Sequence, residues 1–377
     1  MSLIKRIISE TYQAYLSKKH SIPKGNGLQL LSSVFINDYK NNIGKIPSVY
    51  QAHKNRFSYN DWCLLKAKAN NYNDYLNTID YCSLHPFNGS ESSWIDDKLT
   101  LKYIINGTSL SDIMPEYYFQ INDAEHILPL LDYSDNNNDD ITINDVINLL
   151  IQKKKLAFKK IAASMGAGFI KAEYKDCLNP EFYLNEKPCS RDEIIITLTN
   201  MKGYLVMELL EPNQYFAKFS NNSIGCLRYQ IGRNASGEVE ELFAYMRIGT
   251  QKSGSVENYD AGGILTYIHN GVFNGGHMLD KDTKVDRYIE RHPDNDIEIK
   301  GTFPMWDQIK AVAFEIAKLM PQLNYIGIDF CLTNNNMIKV LEINSLTSLI
   351  GFQLETPIFK TPIGNFFRER LRLNNSL

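Results

Sequence analysis

The side chains best suited to chemistry lie near the C-terminal end, in the segment GIDFCLTNNNMIKVLEIN at residues 327–344. Asp329 stands among apolar neighbours on a predicted strand. Glu342 and Asn344 are two residues apart on the next strand, so they share one of its faces. A two-residue loop between the two strands would put Asp329 on that same face. A loop with an odd number of residues would put Asp329 on the opposite face unless a bulge corrects the alternation. Two carboxylates and an amide oxygen are ligands that Mg²⁺ prefers. The segment therefore predicts a magnesium site, with an ordinary hairpin facing solvent as the alternative.

A glycine-containing loop, KKIAASMGAGFIK at residues 159–171, is the second candidate. Gly166 and Gly168 would let backbone N–H groups approach an anion, and Lys160 on the preceding strand could reach a phosphate. The segment lacks the pattern GxxxxGK[ST] and the third glycine of a dinucleotide-binding fingerprint. Taken alone, it favours an ordinary hairpin turn.

The segment YLVMELLEPNQ at residues 204–214 is an apolar strand that runs into a glutamate. The backbone of such a strand can bind the edge of a purine while its apolar side chains enclose the ring. The pattern therefore suggests an adenine-binding hinge, although any strand end would look similar.

Arg228 and Arg247 lie on two further predicted strands. A guanidinium offers a planar set of donors that matches phosphate and carboxylate groups. Two of them aimed into one site would stabilise the charge that develops during phosphoryl transfer. The alternative is a pair of solvated or ion-paired surface residues.

The elements that must position these residues follow from hydrophobic periodicity and capping signals. Helices are predicted at residues 3–19, 97–105, 145–154, 190–200 and 306–320. Strands are predicted at residues 117–121, 156–161, 169–173, 181–185, 204–207, 226–232, 241–248, 325–332 and 337–343. The first helix is basic, and we expect it to dock on the protein's own core. The alternative is a helix lying on an anionic membrane surface.

Composition limits the classes of protein to which the chain could belong. The 377 residues allow two or three domains, and a net charge of −3 does not indicate a nucleic-acid binder. No apolar run is long enough to span a bilayer, and the first twenty residues lack the apolar region of a secretory signal. The six cysteines form no CxxC pair, which suggests a cytoplasmic protein with reduced thiols. The segment His292-Pro293-Asp294 is interpreted as structural rather than catalytic.

The order of these features resembles that of the ATP-grasp superfamily, and in particular its sugar-transfer-associated branch. The resemblance extends from about Asp97 to about Phe352 and includes RIGT, GIDF and LEIN. It implies an α+β fold in which two lobes clamp ATP, preceded by a mainly helical N-terminal extension. The corresponding segments are residues 1–95 for the extension, 96–141 for a preceding segment, 142–210 for the small lobe and 211–377 for the large lobe.

The resemblance also implies roles for individual residues. Lys160 would contact the ATP phosphates, with Lys98 or Lys159 in a less certain role. The remaining nucleotide contacts would come from Ser164, Gly166, Gly168, Met207, Glu208, Leu210, Asn213 and Gln214. Arg228 and Arg247 would hold the γ-phosphate or the acyl-phosphate intermediate, and Asn258, a further catalytic candidate, would line the substrate side with Gly262 and Gly263. Mg²⁺ would be held by Asp329, Glu342 and Asn344. The chain departs from the family pattern at Ile161, Ala163 and Glu257.

The implied activity is an ATP-dependent ligation of an acid to an amine through an acyl phosphate. Its setting would be surface polysaccharide or capsule biosynthesis, with an amino acid or a similar acid as the acid. The amine would belong to an amino sugar or another amine, and the acceptor could be a sugar nucleotide or a lipid-linked glycan. Two alternatives remain, a phosphotransferase and a non-catalytic nucleotide-binding scaffold. The sequence also leaves open a homodimer and a peripheral contact with a membrane.

Overall fold

The computed structural model of the protein describes most of the chain. The described ranges are residues 3–66, 71–134, 141–161, 168–176, 181–219, 224–254, 257–280 and 285–375. Ser164 and Gly166 of the predicted phosphate loop lie outside them.

The helices confirm the predictions from periodicity, with ends within two residues of those expected. In chain order they are α1 (Leu3–His20), α2 (Asn26–Asn41), α3 (Ile46–Lys54), α4 (Tyr59–Lys66), α5 (Thr78–Ser83), α6 (Ser93–Asp96), α7 (Lys98–Asn106), α8 (Ile143–Lys153), α9 (Arg191–Thr199), α10 (Gln214–Ala217), α11 (Trp306–Leu319), α12 (Ile350–Glu355) and α13 (Ile363–Asn375). Ser190 caps α9 as predicted, because its hydroxyl accepts from the Glu193 N–H and the Glu193 carboxylate accepts from the Ser190 N–H. Within the described ranges, no helix has the length and hydropathy needed to cross a membrane.

The strands form two seven-stranded sheets and a two-stranded ribbon. They are β1 (Tyr117–Ile121), β2 (Ile127–Pro129), β3 (Lys155–Lys160), β4 (Ile170–Lys175), β5 (Glu181–Leu184), β6 (Lys187–Cys189), β7 (Tyr204–Glu208), β8 (Cys226–Arg233), β9 (Val239–Ile248), β10 (Ile264–Ile268), β11 (Val272–Asn274), β12 (Gly276–Asp280), β13 (Val285–Ile289), β14 (Lys300–Thr302), β15 (Tyr325–Leu332) and β16 (Ile338–Asn344). The first sheet has the order β2-β1-β7-β3-β4-β5-β6, and the second has the order β13-β12-β10-β9-β8-β15-β16. The predicted strands are all present, whereas β2, β6 and β10 to β14 were not predicted.

The chain divides into two compact units. The first unit consists of Met1–Ser93, Gly225–Asp329 and Ile343–Leu377, and the second of Trp94–Ile224 and Phe330–Glu342. The N-terminal segment is therefore part of the same unit as β8 to β14.

In the second unit, α8 and α9 cover one face of the first sheet. Their apolar side chains pack in one core with Leu156 and Phe158 of β3 and Val206 of β7. Successive residues of a strand point to opposite faces, so Lys155, Ala157 and Lys159 project from the face that these helices do not cover.

In the first unit, the N-terminal helices are fastened to the sheet through buried polar contacts as well as apolar packing. Asn88 accepts hydrogen bonds from the N–H groups of Asn324 and Tyr325, and Gln353 exchanges two hydrogen bonds with the backbone of Leu76. Leu16 of α1 is buried in a cluster with residues of α2 and α5. The predicted docking of the first helix on the protein's own core is therefore confirmed for this part of α1.

The turn between β15 and β16 has three residues, 334–336, rather than two. The Thr333 N–H donates to the Met337 carbonyl at 3.0 Å, and Asn336 adopts a positive φ of 58°. Alternation along the hairpin therefore does not by itself put Asp329 on the face of Glu342.

Candidate active site

Two arginines converge on one buried carboxylate in the first unit. Arg228 of β8 holds both oxygens of Asp329 on β15 through its Nε and Nη2 atoms, the latter at 2.9 Å. Arg247 of β9 reaches the same carboxylate, with its Nη2 atom 2.8 Å from Oδ2. The strand order β9-β8-β15 brings the three residues together. The predicted convergence of the two arginines is therefore present in the structure.

This arginine cluster, Arg228 with Arg247 and Asp329, carries more positive than negative charge. Asp329 is 1% exposed. Burial lowers the pKa of both guanidinium groups, but the Asp329 charge together with neighbouring groups outweighs burial, so their pKa values are raised. Both arginines are therefore charged and share Asp329. The Glu257 carboxyl also acts on Arg247, and burial raises the pKa of that carboxyl. Among the described residues, the Arg247 Nε atom is buried and has no hydrogen-bond acceptor. An anionic group would balance the excess charge and accept this proton.

Gly327 makes room for the arginine cluster. It lies two residues before Asp329, and a Cβ atom there would come within 2.9 Å of the Arg228 side chain, the Gln230 amide oxygen and the Thr347 hydroxyl. Thr347 in turn accepts a hydrogen bond from the Arg228 Nη1 atom at 2.8 Å. Gly327, the first residue of the GIDF segment, is therefore glycine because the Arg228 side chain occupies the space that a Cβ atom would need.

Replacement of Gly327 by alanine is expected to displace Arg228 and to lower the free energy of unfolding by about 1–3 kcal/mol, as overpacking does. The measurement is chemical denaturation, with Gly107→Ala as the control. A Cβ atom at Gly107 meets nothing within 4 Å, and its φ of −85° suits alanine. Equal stability of the Gly327→Ala variant and the wild type would contradict this account of the close packing.

Asn258 adjoins the arginine cluster. Its side-chain oxygen lies 3.4 Å from the Arg247 Nη1 atom, and its backbone carbonyl accepts from the Gly263 N–H at 2.9 Å. Gly262 adopts a positive φ of 96°, and a Cβ atom at Gly263 would lie 2.3 Å from the Glu257 carbonyl oxygen. The two glycines therefore allow the tight turn that holds Asn258 beside Arg247.

Two lysines approach one carboxylate in the second unit. The Nζ atoms of Lys98 and Lys159 lie 3.9 and 3.6 Å from the Glu342 Oε2 atom. Lys98 is the first residue of α7, whose N-terminal cap is Asp97, and its side chain is buried. Burial, followed by the charge of Lys159, lowers the pKa of Lys98. This lysine cluster, Lys98 with Lys159 and Glu342, also has one cation more than it has carboxylates.

The structure brings Lys159, rather than Lys160, to the lysine cluster. Lys160 follows Leu156 and Phe158 on the helix-covered face of β3, where its Nζ atom lies 5.7 Å from the centre of the Tyr204 ring. Its methylene groups pack near Gly168, which adopts a positive φ of 77°. The sequence pattern favoured Lys160 for phosphate contact. Neighbouring residues of a strand point to opposite faces, and this alternation distinguishes Lys159 from Lys160.

The predicted adenine hinge lies at the end of a central strand. β7 pairs with both β1 and β3, Met207 is buried, and the strand ends at Glu208, two residues before Leu210. Asn213 is buried and holds the β15–β16 turn, since its side-chain amide donates to the Thr333 carbonyl and to Asn336. Gln214 begins α10 and is exposed. Asn213 therefore has a structural task in addition to the nucleotide contact that the resemblance implied.

The predicted magnesium ligands belong to different units. Asp329 and Asn344 are in the first unit and Glu342 is in the second. Within the described ranges, no cluster of three or more His, Cys, Asp or Glu side chains could hold a metal ion. The predicted donors are nevertheless all hard oxygens, which suits Mg²⁺.

His292 has a structural position, as interpreted from the sequence. It is 1% exposed, and its Nε2 atom lies 3.0 Å from the Gly249 carbonyl oxygen, whereas the Asp294 N–H donates to Nδ1 at 3.3 Å. The Asp294 carboxylate accepts from the Gln251 N–H at 2.7 Å. The segment therefore holds the loop after β9 and takes no part in either cluster.

The chain is similar to several solved structures at low identity. The ATP-grasp ligase PsnB in complex with its minimal precursor is 12% identical with a TM-score of 0.38, and the match covers 77% of this chain and 63% of that one. The biotin carboxylase–ATP complex from Campylobacter jejuni is 10% identical with a TM-score of 0.41, covering 76% and 48%. N5-carboxyaminoimidazole synthetase from Staphylococcus aureus in complex with ADP is 8% identical with a TM-score of 0.36, covering 67% and 45%. The matches thus span less than two thirds of the length of each of these three proteins.

Comparison with families gives a more decisive result. No curated protein matches the sequence. The model of the family described as sugar-transfer associated ATP-grasp matches residues 82–361, which is well over half of the chain. The match includes every residue of the arginine and lysine clusters. The chain therefore belongs to the sugar-transfer associated ATP-grasp family.

Proposed function

We propose that this protein is an ATP-dependent ligase that joins a carboxylic acid to an amine through an acyl phosphate. The observation that carries the proposal is the pair of cationic clusters. Each combines two basic side chains with one carboxylate, and family membership supplies the ATP-grasp fold. The triphosphate of ATP and an acyl phosphate are the kinds of anion that such clusters would bind.

The lysine cluster would bind the phosphates of ATP. Lys98 and Lys159 place two ammonium groups within 4 Å of the same carboxylate oxygen, which is a concentration of basic side chains suited to phosphate oxygens. The backbone that follows β7, between Glu208 and Leu210, would bind adenine, because the groups within β7 already pair with β1 and β3 and the Glu208 N–H donates to the Glu116 carbonyl.

The arginine cluster would hold the group that is transferred. A carboxylate oxygen of the acid attacks the γ-phosphorus, the bond to the bridging oxygen breaks, and ADP leaves. The amine then attacks the acyl carbon, phosphate leaves, and the amine loses a proton. Arg228 and Arg247 would stabilise the charge on the transferring phosphoryl group and on the acyl phosphate. Asn258 would help to orient Arg247.

Mg²⁺ would be held by Asp329, Glu342 and Asn344. When bound, it would neutralise charge on phosphate oxygens. The two arginines fix the orientation of the Asp329 carboxylate, so they would also position that ligand.

The proposed substrates are an amino acid or similar acid and an amino sugar or other amine, with a role in surface polysaccharide biosynthesis in the cytoplasm. The family description, which refers to sugar transfer, supports a sugar-containing acceptor. Displacement of phosphate from an acyl phosphate needs no covalent enzyme intermediate. The proposed reaction therefore does not require a nucleophilic side chain.

The experiment is an ADP-release screen of amino acids paired with amino-sugar nucleotides, with mass spectrometry of the products. We expect ADP release that requires both substrates, and a product equal in mass to the two substrates minus water. Omission of the amine should leave at most slow release through hydrolysis of the acyl phosphate. A stable phosphorylated product without condensation would instead establish a phosphotransferase. ATP binding without any ADP release across the panel would support a non-catalytic scaffold.

A further inference from the structure

Exposed apolar side chains and lysines lie together at the corner where α2 meets α3. Ile43 is 73% exposed, Ile46 is 49% exposed and Tyr50 is 62% exposed. Lys40, Lys45 and Lys54 flank them and are also exposed. These six residues define the α2–α3 corner. Isolated exposed apolar residues are common, but two isoleucines and a tyrosine within eight positions of the chain form a local apolar surface.

Helix geometry directs the apolar side chains of the α2–α3 corner away from the protein. Ile46, Tyr50 and Lys54 are spaced four residues apart on α3, so they share one face of that helix. Val49 and Ala52 lie on the opposite face and are fully buried. The fully buried contacts of α3 are therefore made by other residues than those of the corner, which are themselves exposed.

The exposed ends of three helices meet at this surface. Burial and then the neighbouring Tyr50 hydroxyl raise the pKa of Tyr39 on α2, and Lys19 and Tyr15 of α1 also act on it. The Lys19 Nζ atom lies 5.3 Å from the centre of the Tyr15 ring, and Tyr15 is 52% exposed. Leu16 of α1 is buried in a cluster with residues of α2 and is not available to this surface.

The charge distribution of the chain is strongly asymmetric. Residues 1–60 contain nine Lys and Arg and two Asp and Glu, a net charge of +7, whereas the whole chain has −3, so the remaining residues carry −10. The chain has no acidic residue between Asp38 and Asp61. Asp38 itself accepts from the Tyr59 N–H at 2.8 Å and lies 2.9 Å from the His53 Nε2 atom. The lysines of the corner are therefore not balanced by nearby carboxylates along the chain.

We infer that the α2–α3 corner binds the surface of an anionic lipid bilayer. The lysines would be attracted to anionic headgroups, and Ile43 and Ile46 would enter the boundary between headgroups and acyl chains. Tyrosine is favoured at that depth because it combines an apolar ring with a polar hydroxyl. This inference does not depend on the proposed ligase activity, although it would bring the protein to the surface that carries lipid-linked acceptors.

Two other occupants fit the corner less well. A nucleic acid would engage the lysines but would leave the two isoleucines without an apolar partner. A second copy of the chain in a two-fold dimer would place one basic surface against another, which is unfavourable. A bilayer with anionic headgroups satisfies both the charge and the apolar side chains.

The test is co-sedimentation of the full chain with vesicles of phosphatidylcholine alone or of phosphatidylcholine mixed with phosphatidylglycerol. We expect binding only to the mixed vesicles, with weakening at high salt. The Ile43→Ser/Ile46→Ser variant should bind about tenfold more weakly or worse, and the Lys40→Glu/Lys45→Glu/Lys54→Glu variant should not bind. Matched controls are Val272→Ser/Val285→Ser and Lys187→Glu/Lys202→Glu/Lys300→Glu, which alter exposed residues elsewhere and should retain binding.

Two further measurements exclude simpler explanations. Thermal unfolding of all variants should match the wild type, because the changed side chains are exposed. A Tyr50→Trp variant should show fluorescence quenching by brominated acyl chains in the mixed vesicles, which charge attraction alone would not produce. The inference fails if the wild type does not bind the mixed vesicles or if the corner and control variants bind equally. It also fails if the protein retards duplex RNA but sediments with no vesicle.

Discussion

The Glu342→Gln variant is expected to lose turnover by about 10²–10³-fold while it stays folded. The amide keeps the size of the side chain but removes the charge that faces Lys98 and Lys159 and that is predicted to bind Mg²⁺. Glu342 is partly exposed, and its two ion pairs are long. The free energy of unfolding should therefore change by less than about 1 kcal/mol. The measurements are ADP release at saturating substrates and chemical denaturation.

A matched control for this variant is Glu116→Gln in the same unit. The Glu116 carboxylate is also paired with a lysine, Lys153, at 3.0 Å, but it lies outside both cationic clusters. Its replacement should change turnover by no more than about twofold. The concentration of Mg²⁺ required for half-maximal turnover should rise for Glu342→Gln alone. Unchanged turnover in the Glu342→Gln variant would remove this residue from the proposed site.

Lys159→Ala and Lys160→Ala should have sharply different effects, although the two lysines are adjacent. Lys159 projects towards Glu342 and Lys98, whereas Lys160 lies beside Tyr204 on the other face of β3. Loss of one charged hydrogen bond to a phosphate corresponds to about 10- to 100-fold weaker binding. Titration calorimetry with a non-hydrolysable ATP analogue should show this weakening for Lys159→Ala, and a change within about twofold for Lys160→Ala.

Lys159→Arg provides a further distinction. An arginine retains the charge on a longer side chain, so partial recovery of nucleotide affinity would indicate that charge, and not only shape, matters at this position.

Both alanine variants should unfold at temperatures close to that of the wild type, since neither lysine is part of the apolar core. The opposite pattern, with strong weakening only for Lys160→Ala, would show that the face assigned from the strand geometry does not bind phosphate.

The local elements could be predicted because their signals are contained in short stretches of sequence. Ser190 and Glu193 provide a capping box at the start of α9, and Trp306 to Leu319 has clear helical periodicity. β10 was not predicted from the sequence, and all five of its side chains are buried. The short strands β11 to β14 lie among glycines and polar turns that interrupt any pattern.

The candidate site likewise has features that could be predicted from the sequence and features that could not. The candidate site residues, including Asp329, Glu342, Arg228 and Arg247, could be selected from their types and order along the chain. The partners of these residues do not, because each contact joins strands or helices that are far apart in sequence. Gly327 and Thr347 contact or make room for Arg228. Their residue types alone do not mark them as part of the site, because these contacts are visible only in the folded structure.

The sequence by itself determined the fold class, the family resemblance and the set of oxygen and nitrogen groups available for chemistry. These depend on periodicity, spacing and residue type, which are local or ordered properties of the chain. Only the tertiary structure decided that Lys159 rather than Lys160 accompanies Lys98 and Glu342, and that two arginines share one carboxylate. Such decisions depend on strand register and on which face the helices cover, and a shift of one residue would reverse them.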